Sequence, residues 1–477
     1  MSAAPPGPFL EPGFPNGPSF DADVPFRDRE AGIGMGSAMN LMSATLRTAM
    51  VPGDAATPRP APRSAGAGAV SVPLWRPPAH APAPVAGERR AGLRRPPLVT
   101  ADGVRVEALS FDVAALHREA WLHLAEHSVE PNPFLDPDFA LAAARHLPAA
   151  RRPLFVVARG LVGGRMRMMG LLALDPGRRL FTGVAAAWEH PYAALGAPLL
   201  GTARAAEALE GLLAWTGAHL SGAGALLMPD LPRDGAVVQL LRRAAMAHGR
   251  QFRLLDPRAR AVARVGEGRA APAPSREMKR LWRRLGEAGA LETHVVADPV
   301  EVRNGFEQFL ALEAAGWKGA RGTAMICEAG AAAFARSAVR MMATRGAARL
   351  VALTLDGRAI AIGVVLIAGG TAAFWKIAHD PAFGKFSPGA QLSLRLAEIA
   401  AADPAIAFVD SCAVENHSMI DRLWPERVTI ADAALSLPTG RAGHGAFRSS
   451  LARETARRGA RGLAKRAFLA VTGRKKV

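Results

Sequence analysis

Cysteine is scarce in this chain and tyrosine is nearly absent. Its 477 residues hold two cysteines, Cys327 and Cys412, and one tyrosine, Tyr192. Two cysteines supply neither a disulfide framework nor a metal quartet, so a reducing, cytoplasmic setting and a fold without structural metal are expected. Long apolar runs are missing too. The longest, Ala359 to Trp375, is interrupted by Gly369 and Gly370 and falls short of a membrane span, so hairpin strands explain it better. The first thirty residues carry proline, glycine and acids where a secretory signal would show a basic start and an apolar stretch. What is abundant is apolar residue and positive charge: half of the chain is hydrophobic and the formal net charge is +18. That composition allows two folded domains with sizeable cores, plus tails.

Residues 1–100 contain 18 of the 37 prolines among many Ala, Gly and Arg. Such a segment buries too little apolar surface to offset its chain entropy, and a disordered arm is expected, with a short helix over Ala31 to Met50. A first folded domain is expected over residues 104–265. Phe111 to His127 reads as one amphipathic helix, Phe139 to His146 as a second, and Pro153 to Ala158 with Arg167 to Leu174 as a hairpin. Gly224 to Met228 reads as a strand ending near Asp230, and Gln251 to Leu255 and Ala261 to Val265 as two further strands. After a linker near Gly266 to Pro274, a second domain is expected over residues 276–437, with the same order of elements. Each half runs through a meander, a crossover helix, a strand closing on an acid (Asp230, Asp410), another helix and a terminal strand.

The second half is the more legible. Arg349 to Leu355 and Ala359 to Ile367 flank Asp356-Gly357, a strong two-residue hairpin turn. Thr371 to Ile377 is a third strand. Ser387-Pro388-Gly389 then opens a helix through Leu392, Leu394, Leu396 and Ile399, and Ala405 to Asp410 follows as a strand. A strand, a crossover helix and a strand make a right-handed parallel pair, with a ligand expected outside the carboxyl end of the first strand. Ser387 would cap the helix, Pro388 suits its first turn, and Gly389 removes side-chain bulk where free N–H groups attract phosphate. The plain alternative is an ordinary capped helix.

The runs Glu313 to Ala324, Phe374 to Asp380, Phe386 to Gly389, Asp410 to Ala413 and His417 to Trp424, in that order, resemble the GNAT-type acyltransferases of the cellulose-biosynthesis (CelD-like) group. That group is related to the two-domain Fem transferases. The resemblance implies an α/β fold of tandem GNAT-like domains, each a mixed, mostly antiparallel sheet with a splayed parallel pair and flanking helices. It implies an acyl-CoA donor such as acetyl-CoA, no metal, and an acceptor from envelope or polysaccharide synthesis. The alternatives are an aminoacyl-tRNA-dependent Fem-like transferase and a GNAT-like scaffold without catalysis.

On this resemblance Phe386, Ser387, Pro388, Gly389, Ala390 and Gln391 would cradle the donor's pyrophosphate. Many GNAT enzymes place a tyrosine acid after the fifth strand; here the one tyrosine lies in the other half. Lys376, Asp410 and His417 are therefore the catalytic candidates. Lys376 would bind a phosphate or the thioester oxygen, or pair with Asp410 across neighbouring strands. Asp410 could instead cap the following loop, as could His417. Trp317, Lys318, Gly319, Thr323 and His379 would line the acceptor's mouth; the plain alternative is that Gly316 caps a helix there and Trp317 covers the core. Cys412 is better read as a small buried hydrophobe than as a nucleophile. His190 to Tyr192 could face a cleft between the halves.

The tail, residues 440–477, holds eleven Lys or Arg against Glu454 alone, so it carries more than half of the net charge. A basic amphipathic helix suits an anionic membrane surface or an acidic partner, and a solvated tail is the alternative. Nucleic acid is not expected, since no aromatic interleaving accompanies the charge.

Overall fold

The computed structural model describes residues 95–148, 152–175, 182–220, 222–266, 268–437 and 440–471. The expected helix over Ala31 to Met50 lies outside them. In the first half, strands β1 (Leu98–Val99) and β2 (Arg105–Leu109) lead into helices α1 (Phe111–Leu116), α2 (Arg118–Glu126) and α3 (Pro137–His146). The single helix expected to His127 is thus two, divided at His117. A long hairpin follows, β3 (Leu154–Val162) and β4 (Arg165–Asp175), turning at Gly163 and Gly164, whose positive φ suits glycine. Then come β5 (Val184–Ala187), β6 (Leu199–Leu200), α4 (Ala205–His219), β7 (Ala225–Pro232), α5 (Ala236–Ala247) and β8 (Phe252–Arg264). β8 is one continuous strand where two were expected.

The second half repeats the plan. Helix α6 (Arg276–Gly286) and strand β9 (Leu291–Val296) precede α7 (Pro299–Ala315), the short α8 (Trp317–Ala320) and α9 (Ala329–Ala343). The meander is β10 (Ala348–Leu355), β11 (Arg358–Ala368) and β12 (Thr371–His379). Helix α10 (Pro388–Ala402), strand β13 (Phe408–Asp410), helix α11 (Ile420–Leu423), strand β14 (Glu426–Ser436) and helix α12 (Gly440–Val471) complete it.

All strands join one sheet in the order β1-β2-β3-β4-β5-β7-β14-β8-β13-β12-β11-β10-β9, with β6 also on β4. Pairing is antiparallel except at one place in each half: β5 beside β7 and β12 beside β13 are parallel. The fold is therefore the expected mixed, mostly antiparallel sheet with flanking helices, built twice.

The sequence pattern did not show how the halves are joined. The last strand of the second half, β14, inserts between β7 and β8 of the first half. β8 in turn pairs with β13. On one face a continuous core also crosses the seam, from Trp121, Phe139 and Phe155 to Phe306, Phe309, Phe334 and Trp375. Burying each such ring contributes roughly 1.5–3 kcal/mol. Arg345 adds an ionic clasp, reaching Asp136 (2.8 Å) and Asp138 (3.0 Å) of α3, while Arg118 also holds Asp138 (2.6 Å).

The tail belongs partly to this body. Phe447, Ser450 and Glu454 of α12 are buried. Phe447 packs on Val184, Leu227 and Ala434. Arg458 bonds Asp432 (2.8 Å) and Asp256 (2.6 Å), and Arg457 bonds Glu454 (2.7 Å). Much of the charge assigned to a free tail is spent inward.

Candidate active site

The site is set by how far β12 and β13 stay together. They pair only over Thr371–Ala373 against Phe408–Asp410, although β12 runs on to His379. Beyond Ala373 the parallel ladder ends, because β13 stops at Asp410 while β12 continues. β12 also slips by one residue there: Val364 pairs with Lys376 and Val365 with Phe374, leaving Trp375 as the extra residue of a bulge. Bulges re-aim side chains and leave a backbone group outside the ladder. Consistent with that, Trp375 and Lys376 both face the first half. The Trp375 indole donates to the Tyr192 carbonyl (2.9 Å), and Lys376 Nζ lies 5.2 Å from the centroid of the Tyr192 ring.

The first turn of α10 sits at the same end. Pro388 has no N–H, and the amides of Gly389 and Ala390 have no acceptor within the helix. Ser387 does not cap as expected: its backbone is left-handed (φ 51°, ψ 54°) and its side chain makes no cap bond. Its carbonyl accepts from the Gln391 amide (3.0 Å), and the Gln391 side chain donates to the Met278 carbonyl (2.9 Å). Gln391 is therefore structural, and only the amides of Gly389 and Ala390, both buried residues, are left without an acceptor within the helix. Phe386 is buried in the core beside Leu392 and Trp424. A Cβ on Gly389 would lie 3.5 Å from Ile377 Cδ1, 3.6 Å from His379 Nδ1 and 3.8 Å from Met419 Sδ. Gly389 thus lies between the free end of β12 and the loop after β13, and His379 stands beside it.

The other expected residues divide sharply. Asp410 accepts from buried Arg260 of β8 (3.1 Å) and from the Cys412 amide (2.7 Å). Arg260 in turn donates to the Ala194 carbonyl (3.1 Å). Cys412 is buried in the core, and burial, reinforced by Asp410, pushes its thiol well above the usual range, so it is no nucleophile. His417 caps α11: its Nδ1 accepts from the amides of Met419 (3.3 Å) and Ile420 (3.4 Å), and burial lowers its pKa. A ring so used has its Nδ1 lone pair committed.

The turn expected at the acceptor's mouth closes on itself and on α7. Lys318 pairs with buried Glu313 (2.7 Å), whose other oxygen accepts from the Met325 amide (2.8 Å). Thr323 bonds the Lys318 carbonyl through both its amide (2.8 Å) and its hydroxyl (3.3 Å). A Cβ on Gly319 would overlap the Ala314 carbonyl. Trp317 carries Arg321 at 5.1 Å and Lys318 at 5.9 Å from its ring centroid. These are reasons of packing.

Alternation places Arg260 among ordinary strand residues, and it does not show that Arg260 holds Asp410 or that the Tyr192 ring lies beside Lys376. The signal for Tyr192 was its uniqueness; nothing local tied it to β12. Among the described residues no group of three or more His, Cys, Asp or Glu is arranged to hold a metal ion.

Residues 274–415 match the acetyltransferase (GNAT) domain family, a stretch that includes Lys376, Gly389 and Asp410. No curated protein matches the chain. Among solved structures, FemX aligns at 12% identity and TM-score 0.44, covering 66% of this chain and 95% of its own. A tandem GNAT protein from the clavulanic acid biosynthesis pathway aligns at 15% identity and TM-score 0.38, covering 71% and 99%. The C-terminal domain of a putative lysylphosphatidylglycerol synthetase from Agrobacterium fabrum aligns at 11% identity and TM-score 0.41, covering 71% and 96%. Residues 274–415 are thus similar to a GNAT acetyltransferase domain.

Proposed function

We propose that this protein is an acyl-CoA-dependent N- or O-acyltransferase that takes its donor, acetyl-CoA or a longer acyl-CoA, between β12 and β13. The observation that carries the proposal is the closeness of three features: the end of the β12–β13 ladder after Ala373, the bulge at Trp375, and the amides of Gly389 and Ala390 that have no acceptor within α10. Acyl transfer by direct attack needs an anion cradle for the donor, a group that polarises the thioester carbonyl, and proton movement. The first turn of α10 suits the first need, because the amides of Gly389 and Ala390 have no acceptor within the helix. Lys376 and the backbone at the bulge fit the second.

The acceptor class we propose is a cell-envelope or exopolysaccharide precursor, cellulose-type synthesis included, on the resemblance of the motif runs from Glu313 to Trp424. A peripheral contact with an anionic membrane surface fits the end of α12, where residues 459–464 are exposed on every side and the following sequence is basic. No helix among the described residues is long and apolar enough to cross a membrane. The test is release of free thiol from acetyl-CoA, and from longer acyl-CoAs, by the full-length protein presented with glycan precursors and amines. Thiol release that depends on an acceptor and disappears in Gly389→Trp supports the reading. A folded protein that releases none with any donor overturns it.

A further inference from the structure

Two helices of the second half leave a groove between them. Helices α7 and α9 pack on one face of the sheet through Val302, Phe306, Phe334 and Val339, in one core with Leu350 and Ala352 of β10. Helix α10 packs on the other face through Leu392 and Leu396, in one core with Val351 and Leu353. Successive residues of β10 thus serve opposite faces, as a pleated strand requires, and the sheet lies between the groove and Gly389. The groove has a volume of about 330 Å³. Its apolar lining includes Phe306 and Val339, both buried. Its polar lining follows helical spacing: Arg303 and Glu307 stand one turn apart on α7, and Arg336 and Arg340 one turn apart on α9. His146, the last residue of α3, lines it as well.

The charges in this groove do not balance. Arg336 holds Glu307 through two bonds of 2.7 Å, so the one carboxylate of the lining is already engaged. Arg303 makes two long bonds, 3.4 Å each, to the side chain of its neighbour Asn304, and Arg340 has no side-chain partner among the described residues. Two guanidiniums therefore line a cavity without an acid to neutralise them, and such a cavity favours an anion. Guanidinium forks match phosphoryl oxygens, which accept from them in pairs. Ser337 brings a hydroxyl to the same lining. Burial and the charge of Arg145 lower the pKa of His146, so at neutral pH its ring offers one N–H without further charge. We propose that the groove between α7 and α9 is a binding site for a small organic phosphate, its phosphoryl group held by Arg303 and Arg340 and its carbon body against Phe306 and Val339. The site is separate from the donor site of the acyltransferase reading and does not depend on it.

Titration calorimetry of the full-length protein with phenyl phosphate and with inorganic phosphate, at one fixed ionic strength, tests the site. Phenyl phosphate is expected to bind once per chain, about tenfold more tightly than inorganic phosphate, because its ring leaves water for the apolar lining. Arg303 and Arg340 are exposed, so their replacement leaves the core alone. Arg303→Gln and Arg340→Gln, in proteins that unfold at the wild-type temperature, are each expected to weaken phenyl phosphate about tenfold. Ser337→Trp fills the groove and keeps both guanidiniums, and is expected to abolish binding. Arg284→Gln removes an exposed charge from α6, outside the groove, and is expected to leave binding unchanged. Wild-type protein that binds no phenyl phosphate, undiminished binding in Arg340→Gln, an equal loss in Arg284→Gln, or displacement of phenyl phosphate by acetyl-CoA overturns the site. Inorganic phosphate bound as tightly as phenyl phosphate overturns the assignment of an organic ligand.

Discussion

His417 accepts two amide hydrogen bonds through Nδ1, so the proton of its neutral ring sits on Nε2, and burial holds the ring below the usual histidine range. The sign of its pH effect follows. The folded ring resists protonation and the unfolded ring does not, so its contribution is present above the unfolded pKa of about 6.5 and is lost as pH falls through the lower, folded value. His417→Ala is expected to cost about 1 kcal/mol at neutral pH, the size of a lost cap, with activity largely kept. Thermal unfolding at about pH 7.5 and about pH 5.5 should show the gap between variant and wild type narrowing on acidification; a gap that widens contradicts the capping role. At Gly319 the expectation is harsher. The missing Cβ is replaced by the Ala314 carbonyl, so Gly319→Ala must push backbone apart, at a cost of roughly 1–3 kcal/mol read in denaturant melts. Both residues had been read from sequence as site candidates. A histidine before a short helix and a glycine-flanked tryptophan look alike in sequence whether they serve chemistry or packing, and only the partners distinguish them.

At the scale of elements, the seam between the halves makes predictions that neither half makes alone. β14 supplies both the neighbour of β7 and the neighbour of β8, so residues 95–265 expressed alone lack the strand that joins their own sheet. That fragment is expected to show no cooperative unfolding transition, whereas the full chain does; a sharp transition from the fragment would contradict the exchange. Arg345→Met should be costly for a different reason. It leaves Asp136 and Asp138 without one of their cations at positions mostly shut from water, and breaking such a pair costs about 3–5 kcal/mol.

Most of the second half was legible because its punctuation is local. Asp356-Gly357 fixes a two-residue hairpin, Ser387-Pro388 marks the start of α10, and β9 runs over the expected residues, Leu291 to Val296. The exchange of β14 was not legible, since alternation says which face of a strand is buried and nothing about which strand lies beside it. The bulge at Trp375 was hidden for the same reason: it is a relation between β12 and β11.

At the scale of the molecule, the two parallel pairs have different fates. In the second half β12 continues past its last pairing with β13. In the first half the corresponding strand breaks off after Ala187, sends out an excursion that carries Tyr192, and returns as β6 along β4. On the proposed function the donor belongs to the second half alone. This division predicts one donor site per chain although the architecture occurs twice.

Calorimetric titration of the full-length protein with acetyl-CoA tests this account most directly. The prediction is micromolar-range binding, about −8 kcal/mol, with one site per chain, abolished in a Gly389→Trp variant that unfolds at the wild-type temperature. Binding that survives Gly389→Trp, or two sites per chain, would contradict the placement of the donor between β12 and β13; no binding by a folded sample, with longer acyl-CoAs as well, would contradict the function.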